Sequence, residues 1–354
     1  MEKTIRGKKY DIIIGTDLSE KIKGVIDAPE TFLVTDSNVE KLYGGRFKAA
    51  RFVLPAGEES KKLSTVGAVC EAMLEAGCNR KTTVIALGGG VVGDIAGFAA
   101  SVYMRGVKVI QVPTTLLAMC DSSIGGKTGV DICGKNSKNV KNIIGAFHQP
   151  SAVLCSLQFL KTLPQRELLC GLGEIFKTAL LDAGVYNEFR AMMKGVTLDK
   201  NGLKIQWERL DGIITMCAAF KLDVAERDEK ETSLRKILNV GHTLGHALEA
   251  YDKCRLAHGE YVVHGVGLEA DIARDIGLIN AAHYREIKEY CALLTRGEKL
   301  NFDVEKLAAL CACDKKNQKG GVSVMLSLSA GKTEEVMLKQ EELIKALQRI
   351  KSSK

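Results

Sequence analysis

Thr82-Thr83-Val84-Ile85-Ala86-Leu87 is a β-prone, largely apolar run that passes straight into Gly88-Gly89-Gly90-Val91-Val92-Gly93-Asp94 and then into the helix-prone residues Ile95–Val102. A strand with apolar residues on both faces must be covered on both sides, as in a parallel sheet. Gly88, Gly90 and Gly93 fit the spacing G-x-G-x-x-G, where missing side chains let backbone amides and a helix N-terminus approach a pyrophosphate. Strand, turn and helix in that order are the context this motif requires, although a tight, closely packed turn would use the same glycines. No acidic residue ends a strand about 20 residues later, where a ribose partner is expected. Asp36, which closes the earlier run Thr31–Thr35, is the better candidate.

The pattern around this turn extends in both directions. Strand-like runs at Tyr10–Ile14, Thr31–Thr35, Phe52–Leu54, Thr83–Leu87, Val107–Val112 and Ala152–Cys155 alternate with helical stretches as far as Pro164. Such alternation predicts βαβ units and a mostly parallel sheet. From Gln165 onward, periods near 3.6 dominate at Glu167–Leu181, Tyr186–Met193, Ile205–Lys221, Arg235–Ala250, Gly265–Ile276 and Ala281–Leu294, with one late β-rich run at Gly321–Leu328. The expected architecture is an α/β, Rossmann-like nucleotide-binding domain over residues 1–164 and an all-α domain over residues 165–354. With 46% hydrophobic residues, 35 glycines and 5 prolines among 354, the chain has ordinary globular composition. Its net charge of +7 contains no run of five or six like charges, so no nucleic-acid tract or membrane-adhesion tract is expected. A small anionic substrate suits that surplus. Eleven cysteines without a CxxC pair point to reduced thiols and a cytoplasmic protein rather than a disulfide framework or cysteine zinc module. The N-terminus lacks an apolar signal core, and no stretch of about 18 residues is uncharged and apolar, so neither signal peptide nor membrane span is expected.

Several polar constellations remain. Gly125-Gly126-Lys127-Thr128 resembles the end of a P-loop, but Asp121 stands where its first glycine is needed, which argues against an NTPase. Lys127 in this glycine-rich segment can still bind an anion. Taken as one helix at 100° per residue, Arg235, Asn239, His242 and His246 fall within about 60° of one another. Two histidines and an asparagine in such a stripe read as the lining of a cleft. His-x₃-His suits zinc or cobalt, whereas Thr243-Leu244-Gly245 between them lacks the glutamate of a metalloprotease motif. His258, in His258-Gly259-Glu260, is a further candidate ligand. Glu174 and Lys177, three apart, would by themselves read as a surface ion pair. Near two histidines they would instead form a mixed oxygen and nitrogen site with an open position.

Gly88–Asp94, Tyr103-Met104-Arg105-Gly106, Gln111–Met119, Asp121–Gly129, Lys141–Pro150, Leu238–His246 and His258-Gly259-Glu260 together resemble the 3-dehydroquinate synthase family, from about residue 30 to Asp314-Lys315-Lys316-Asn317. The resemblance implies conversion of 3-deoxy-D-arabino-heptulosonate 7-phosphate to 3-dehydroquinate and phosphate, a step of aromatic amino-acid biosynthesis by the shikimate pathway. It implies an NAD-binding domain, a helical domain, a cleft between them and a homodimer. It assigns a zinc or cobalt ion to Glu174, His242 and His258, and makes His246 a substrate-side group. It assigns NAD to Asp36, Glu58, Lys61, Gly89, Gly90, Asp94, Thr114, Thr115, Asp121, Lys127, Lys141 and Thr162. Substrate carboxylate and phosphate fall to Arg105, Lys127, Asn142, Lys177, Lys221, Arg235, Asn239 and either Lys315 or Lys316.

The chain departs from the family pattern in three places. The segment between Lys127 and Lys141 is about five residues longer, so Gly134-Lys135-Asn136 and Lys141-Asn142 both imitate one motif. The role is assigned to Lys141 and Asn142 because Ile143–Pro150 follows without a gap, with Lys135 and Asn136 as the alternative. Tyr261-Val262-Val263-His264 replaces small and apolar residues, and Gly173 replaces a common alanine, a change expected to be harmless. Another sugar-phosphate cyclase, of the inosose or valiolone synthase type, would share the cofactor and metal motifs but take a substrate without the carboxylate. Lys221 and His246 keep the synthase identity at positions where such relatives tend to differ. A metal-dependent polyol dehydrogenase would consume NAD stoichiometrically. A binding protein with an idle site is disfavoured, because clustered cations without an anion repel one another.

Overall fold

The computed structural model describes residues 2–133, 139–194, 196–199, 202–204, 207–312 and 321–352. The chain forms two compact units, Met1–Leu163 with Lys221–Lys230, and Pro164–Phe220 with Glu231–Lys354.

In the first unit the strands are β1 (Glu2–Ile5), β2 (Asp11–Gly15), β3 (Thr31–Asp36), β4 (Arg51–Leu54), β5 (Thr83–Gly88), β6 (Lys108–Pro113), β7 (Lys127–Cys133), β8 (Asn139–Phe147) and β9 (Ala152–Ser156). Seven of them form one sheet in the order β1-β2-β9-β6-β5-β3-β4. All neighbours pair in parallel except β1, which runs antiparallel to β2 at the edge. Each strand expected from residue pattern before Pro164 belongs to this sheet. Two features lie outside that expectation. β1 is a short, charged edge strand, and β7 pairs antiparallel with β8 over a segment whose glycines and lysines read as a loop. The helices are α1 (Ser19–Ile26), α2 (Ser37–Tyr43), α3 (Leu63–Glu75) and α4 (Gly90–Val102). Val66, Val69 and Met73 of α3 and Val92, Ile95 and Ala99 of α4 pack with Phe32, Val34, Val84 and Ala86 of the sheet. Burial of each larger aliphatic side chain contributes about 1.5–3 kcal/mol.

The strand order also locates a crevice. After β3 the chain builds β4 on one side, then returns past β3 to build β5 on the other. The carboxyl ends of β3 and β5, at Asp36 and Gly88, therefore flank a reversal of strand order, where open α/β sheets bind ligands.

The second unit is framed by α5 (Gln165–Leu181), α6 (Ala183–Met193), α7 (Trp207–Arg227, which passes into the first unit from Lys221), α8 (His242–Tyr251), α9 (His258–Asp275), α10 (Ala281–Leu294), α11 (Val304–Ala312) and α12 (Gln340–Ser352). Short antiparallel hairpins accompany them, β10 (Thr197–Asp199) with β11 (Gly202–Lys204) and β12 (Val322–Ser329) with β13 (Lys332–Leu338). Helix α5 is buried at every residue from Leu168 to Leu181. Where α5 and α9 meet, a Cβ on Gly173 would run into the Gly259 carbonyl, and one on Gly259 into the Cys170 carbonyl. The α/β and helical classes are as the residue pattern indicates, but Arg235–Ala250 is not one helix. Leu234–Asn239 is a 3₁₀ turn, Gly241 takes a left-handed conformation at φ 76°, and α8 starts afresh at His242. The stripe that places Arg235 and Asn239 beside His242 and His246 on a single helix therefore does not exist.

Candidate active site

Glu174 and Lys177 lie on the α5 face toward α8 and α9, and both are only 2% exposed, so they are no surface ion pair. Lys177 Nζ stands 2.6 Å from Glu174 Oε2. The other oxygen, Oε1, is 3.6 Å from His242 Nε2 and 3.3 Å from His258 Nε2. Neither carboxylate oxygen finds a hydrogen-bond donor of suitable geometry, a costly arrangement for a buried anion. Burial opposes its charge, but Lys177, His242 and His258 together hold the Glu174 carboxyl well below the usual carboxylate range.

Both imidazoles are oriented from behind. His242 Nδ1 donates to the Val240 carbonyl at 3.1 Å, and His258 Nδ1 lies 3.3 Å from Glu249 Oε2. Each ring thereby turns Nε2 toward Glu174, and in neutral His242, whose Nδ1 donates, that nitrogen carries the lone pair. Burial holds His242 well below the ordinary imidazole range, with Glu174 opposing and Lys177 assisting. Burial pushes His258 the same way, but its bonds to Glu174 and Glu249 win and raise it to about 10. Ligand atoms placed tetrahedrally about 2.1 Å from zinc stand about 3.4 Å apart, close to the spacings found here. A carboxylate oxygen without a donor, facing two imidazole nitrogens, fits a divalent cation. His246 completes a trio of imidazoles, each offering a nitrogen within 4.8 Å of the others.

Local sequence explains why these side chains start where they do. Glu260 Oε2 accepts the Ala257 N–H at 3.0 Å, so the glutamate of His258-Gly259-Glu260 caps α9 and fixes His258 as its first residue. Glu249 went unrecognised in the sequence, although its signal was present, since residues 242, 246 and 249 share one face of α8. Arg235, 1% exposed, and Asn239 lie on the preceding 3₁₀ turn.

In the first unit, several candidate residues meet around the glycine turn. Gly89 precedes α4 without a side-chain cap. Asp36 Oδ1 accepts the Asn38 and Val39 N–H groups at 2.8 and 3.1 Å, capping α2 and leaving Oδ2 without a bonded donor. Lys61 Nζ lies 2.6 Å from Asp94 Oδ2, and Lys141 Nζ 3.6 Å from Glu58 Oε1. Burial would lower the Lys61 ammonium, but Asp94 and Glu58 hold it above its ordinary value. Thr114 donates its N–H to the Gly88 carbonyl at 2.9 Å, and Thr115 Oγ1 accepts the Ala118 N–H at 3.2 Å. The Thr162 hydroxyl lies 2.5 Å from that of Tyr43. Lys221 Nζ donates to Asp121 Oδ1 at 2.7 Å. Lys127 is exposed at the start of β7, and Arg105 follows Met104 in an exposed left-handed turn, φ 67° and 48°. Asn142, at φ 51°, donates its backbone N–H to Asp131 Oδ1 at 2.8 Å. No sequence signal marks Asp131, because its part arises from a register shift between Val130 and Ile132. Lys135, Asn136, Lys315 and Lys316 lie outside the described residues.

Residues 51–170 match the family described as 3-dehydroquinate synthase N-terminal, and residues 171–317 the one described as 3-dehydroquinate synthase C-terminal. The 3-dehydroquinate synthase of Alkaliphilus metalliredigens is 42% identical over 348 residues, covering 94% of each chain. That of Ruminiclostridium cellulolyticum is 38% identical over 354 residues, covering 96% of each. Among solved structures, 2-epi-5-epi-valiolone synthase from Streptomyces hygroscopicus, with NAD+ and Zn2+ bound, superposes with a TM-score of 0.84 at 27% identity over 99% of both chains. A 2-deoxy-scyllo-inosose synthase, complexed with carbaglucose-6-phosphate, NAD+ and Co2+, shares the fold with a TM-score of 0.84 at 23% identity and 99% coverage.

Proposed function

The chain belongs to the 3-dehydroquinate synthase family, and we propose that it converts 3-deoxy-D-arabino-heptulosonate 7-phosphate to 3-dehydroquinate and phosphate, with NAD+ and a zinc or cobalt ion as cofactors. The carrying observation is Glu174 Oε1, left without a donor and faced by Nε2 of both His242 and His258. We assign the metal to these three residues and a place beside the substrate to His246. NAD+ falls to Asp36, Glu58, Lys61, Gly89, Gly90, Asp94, Thr114, Thr115, Asp121, Lys127, Lys141 and Thr162, for which the reversal of strand order and the uncapped start of α4 are the support.

When bound, NAD+ takes up and returns one hydride, and the metal ion polarises the oxygens of the reacting carbons as a Lewis acid. The protein's own contribution is to grip and orient an anion. Arg105, Lys127, Lys177, Lys221 and Arg235, with Asn142 and Asn239, hold carboxylate and phosphate, and the charge of the five cations offsets the negative charge that grows as phosphate leaves. Asp121 fixes the Lys221 ammonium, so that this cation is aimed before substrate arrives. Asp36 Oδ2 remains available to a ribose hydroxyl, since only Oδ1 is used in capping.

The resemblance extends the reading to a carbon–oxygen lyase acting as a cytoplasmic homodimer. Free thiols at every cysteine among the described side chains agree with a reducing compartment. No helix among the described residues is long and apolar enough to cross a membrane. The test is incubation of purified protein with the heptulosonate phosphate, NAD+ and Zn2+, following phosphate and dehydroquinate. Equimolar formation of both, with no net NADH, is expected. Accumulation of NADH, or failure to release phosphate, would overturn the assignment.

A further inference from the structure

One buried carboxylate of the second unit takes no part in the proposed chemistry. Glu269, in the middle of α9, is 1% exposed, and its Oε1 has no hydrogen-bond partner. As packing, this is a poor choice, because a buried, half-satisfied carboxylate costs far more than an apolar side chain of similar size. Its other oxygen shows what it does. Oε2 accepts the backbone N–H of Gly241 at 2.6 Å.

Gly241 immediately precedes His242, the first residue of α8. A helix start leaves N–H groups that a side-chain oxygen of the preceding residue commonly accepts. Here the preceding residue is Gly241, which has no side chain and sits in the left-handed region. It cannot be exchanged for a capping residue, since a Cβ would stand 2.7 Å from the Val262 carbonyl and 2.6 Å from Val266 Cγ2. The acceptor has to come from another element. The same turn carries the Val240 carbonyl that receives His242 Nδ1.

We propose that Glu269 is a positioning residue of the metal site: from α9 it holds the N–H of Gly241, the residue from which α8 starts, and so fixes the direction in which His242 presents Nε2 to Glu174. This rests on His242 being a metal ligand, and the test separates the two ideas. Zn2+ and Co2+ affinities of the full chain are measured for wild type, His242→Ala, Glu269→Ala, Glu269→Gln and Glu269→Asp. Amide hydrogen exchange at Gly241 is followed in parallel, with NAD+ affinity as the sign of an intact first unit. Loss of an orienting partner typically weakens metal binding 10–100-fold, so Glu269→Ala should bind at least tenfold more weakly and exchange the Gly241 amide faster. Glu269→Gln, whose carboxamide oxygen accepts the same N–H, should stay within about threefold of wild type, and the shorter Asp should resemble Ala. A folded Glu269→Ala that loses thermal stability but keeps wild-type metal affinity overturns the inference, leaving only a packing role. If Glu269→Ala does not fold, Gln and Asp decide: a glutamine variant as weak as Asp, or an Asp variant as tight as wild type, overturns it equally. Metal binding that His242→Ala leaves intact would instead overturn the ligand assignment.

Discussion

In the first unit the charged groups assigned to the dinucleotide already have protein partners: Lys61 meets Asp94 at 2.6 Å, Lys221 meets Asp121 at 2.7 Å, and Asp36 caps α2. In the second, Glu174 is buried with neither oxygen accepting a well-formed hydrogen bond, and two imidazoles are turned toward it. In the first unit capping and ion pairing settle these charges. In the second, Lys177 meets Glu174 Oε2 at 2.6 Å, but Oε1, faced by two imidazoles, is left without a donor and would accept a cation. The contrast predicts that stability in the second unit responds to metal, and that NAD+ recognition does not.

The largest expected effect comes from His258→Ala, which removes one nitrogen facing Glu174. Metal binding and turnover should be lost, with kcat/KM down at least about 10³-fold and NAD+ affinity within twofold of wild type by titration calorimetry. Wild-type turnover in this variant would break the contrast. Chelation of the metal comes next. Ion present at about 1,000 times its Kd contributes about 4 kcal/mol to stability, so chelated protein should unfold several degrees lower by calorimetry while still binding NAD+. Equal loss of NAD+ affinity would show that the two sites are not independent.

Lys127→Ala should lower phosphate release roughly 10²-fold, the scale on which positioned charges act in acyl- or phosphoryl-type chemistry, with a smaller loss of NAD+ affinity. Unchanged kinetics would remove it from the substrate set. Gly173→Ala tests the packing behind the metal. Its Cβ would meet the Gly259 carbonyl, and overpacking of this kind costs about 1–3 kcal/mol. Weaker metal binding and a lower unfolding midpoint should appear together. The smallest effect is that of Asp36→Ala, about 1 kcal/mol from the lost cap of α2, accompanied by weaker NAD+ binding and unaltered metal affinity.

The same contrast explains what could be read from residue order alone. The first unit's recognition turn is contiguous, strand, glycines and helix within Thr82–Val102, and its partner acid ends a neighbouring strand, so local pattern reaches both. Glu174, His242 and His258 are brought together by the crossing of three helices, and no periodicity joins position 174 to 258. Family resemblance supplied that set. Periodicity even misplaced Arg235 and Asn239, because a left-handed Gly241 between 3₁₀ turn and helix breaks the 100° count. Glu269 was silent for a further reason. A partner for a helix start is normally sought beside it, and this one stands 28 positions away.

The approach of Gly173 to Gly259 has a consequence for how the metal site responds to stress. Each glycine is the immediate neighbour of a proposed ligand, Glu174 on one helix and His258 on the other, so ligand spacing is set by two main chains rather than by long, swivelling side chains. Ion affinity then works as a gauge of interaxial distance. Any substitution, pressure or temperature that prises α5 from α9 by a fraction of an ångström should register in the binding constant before it registers in helix content.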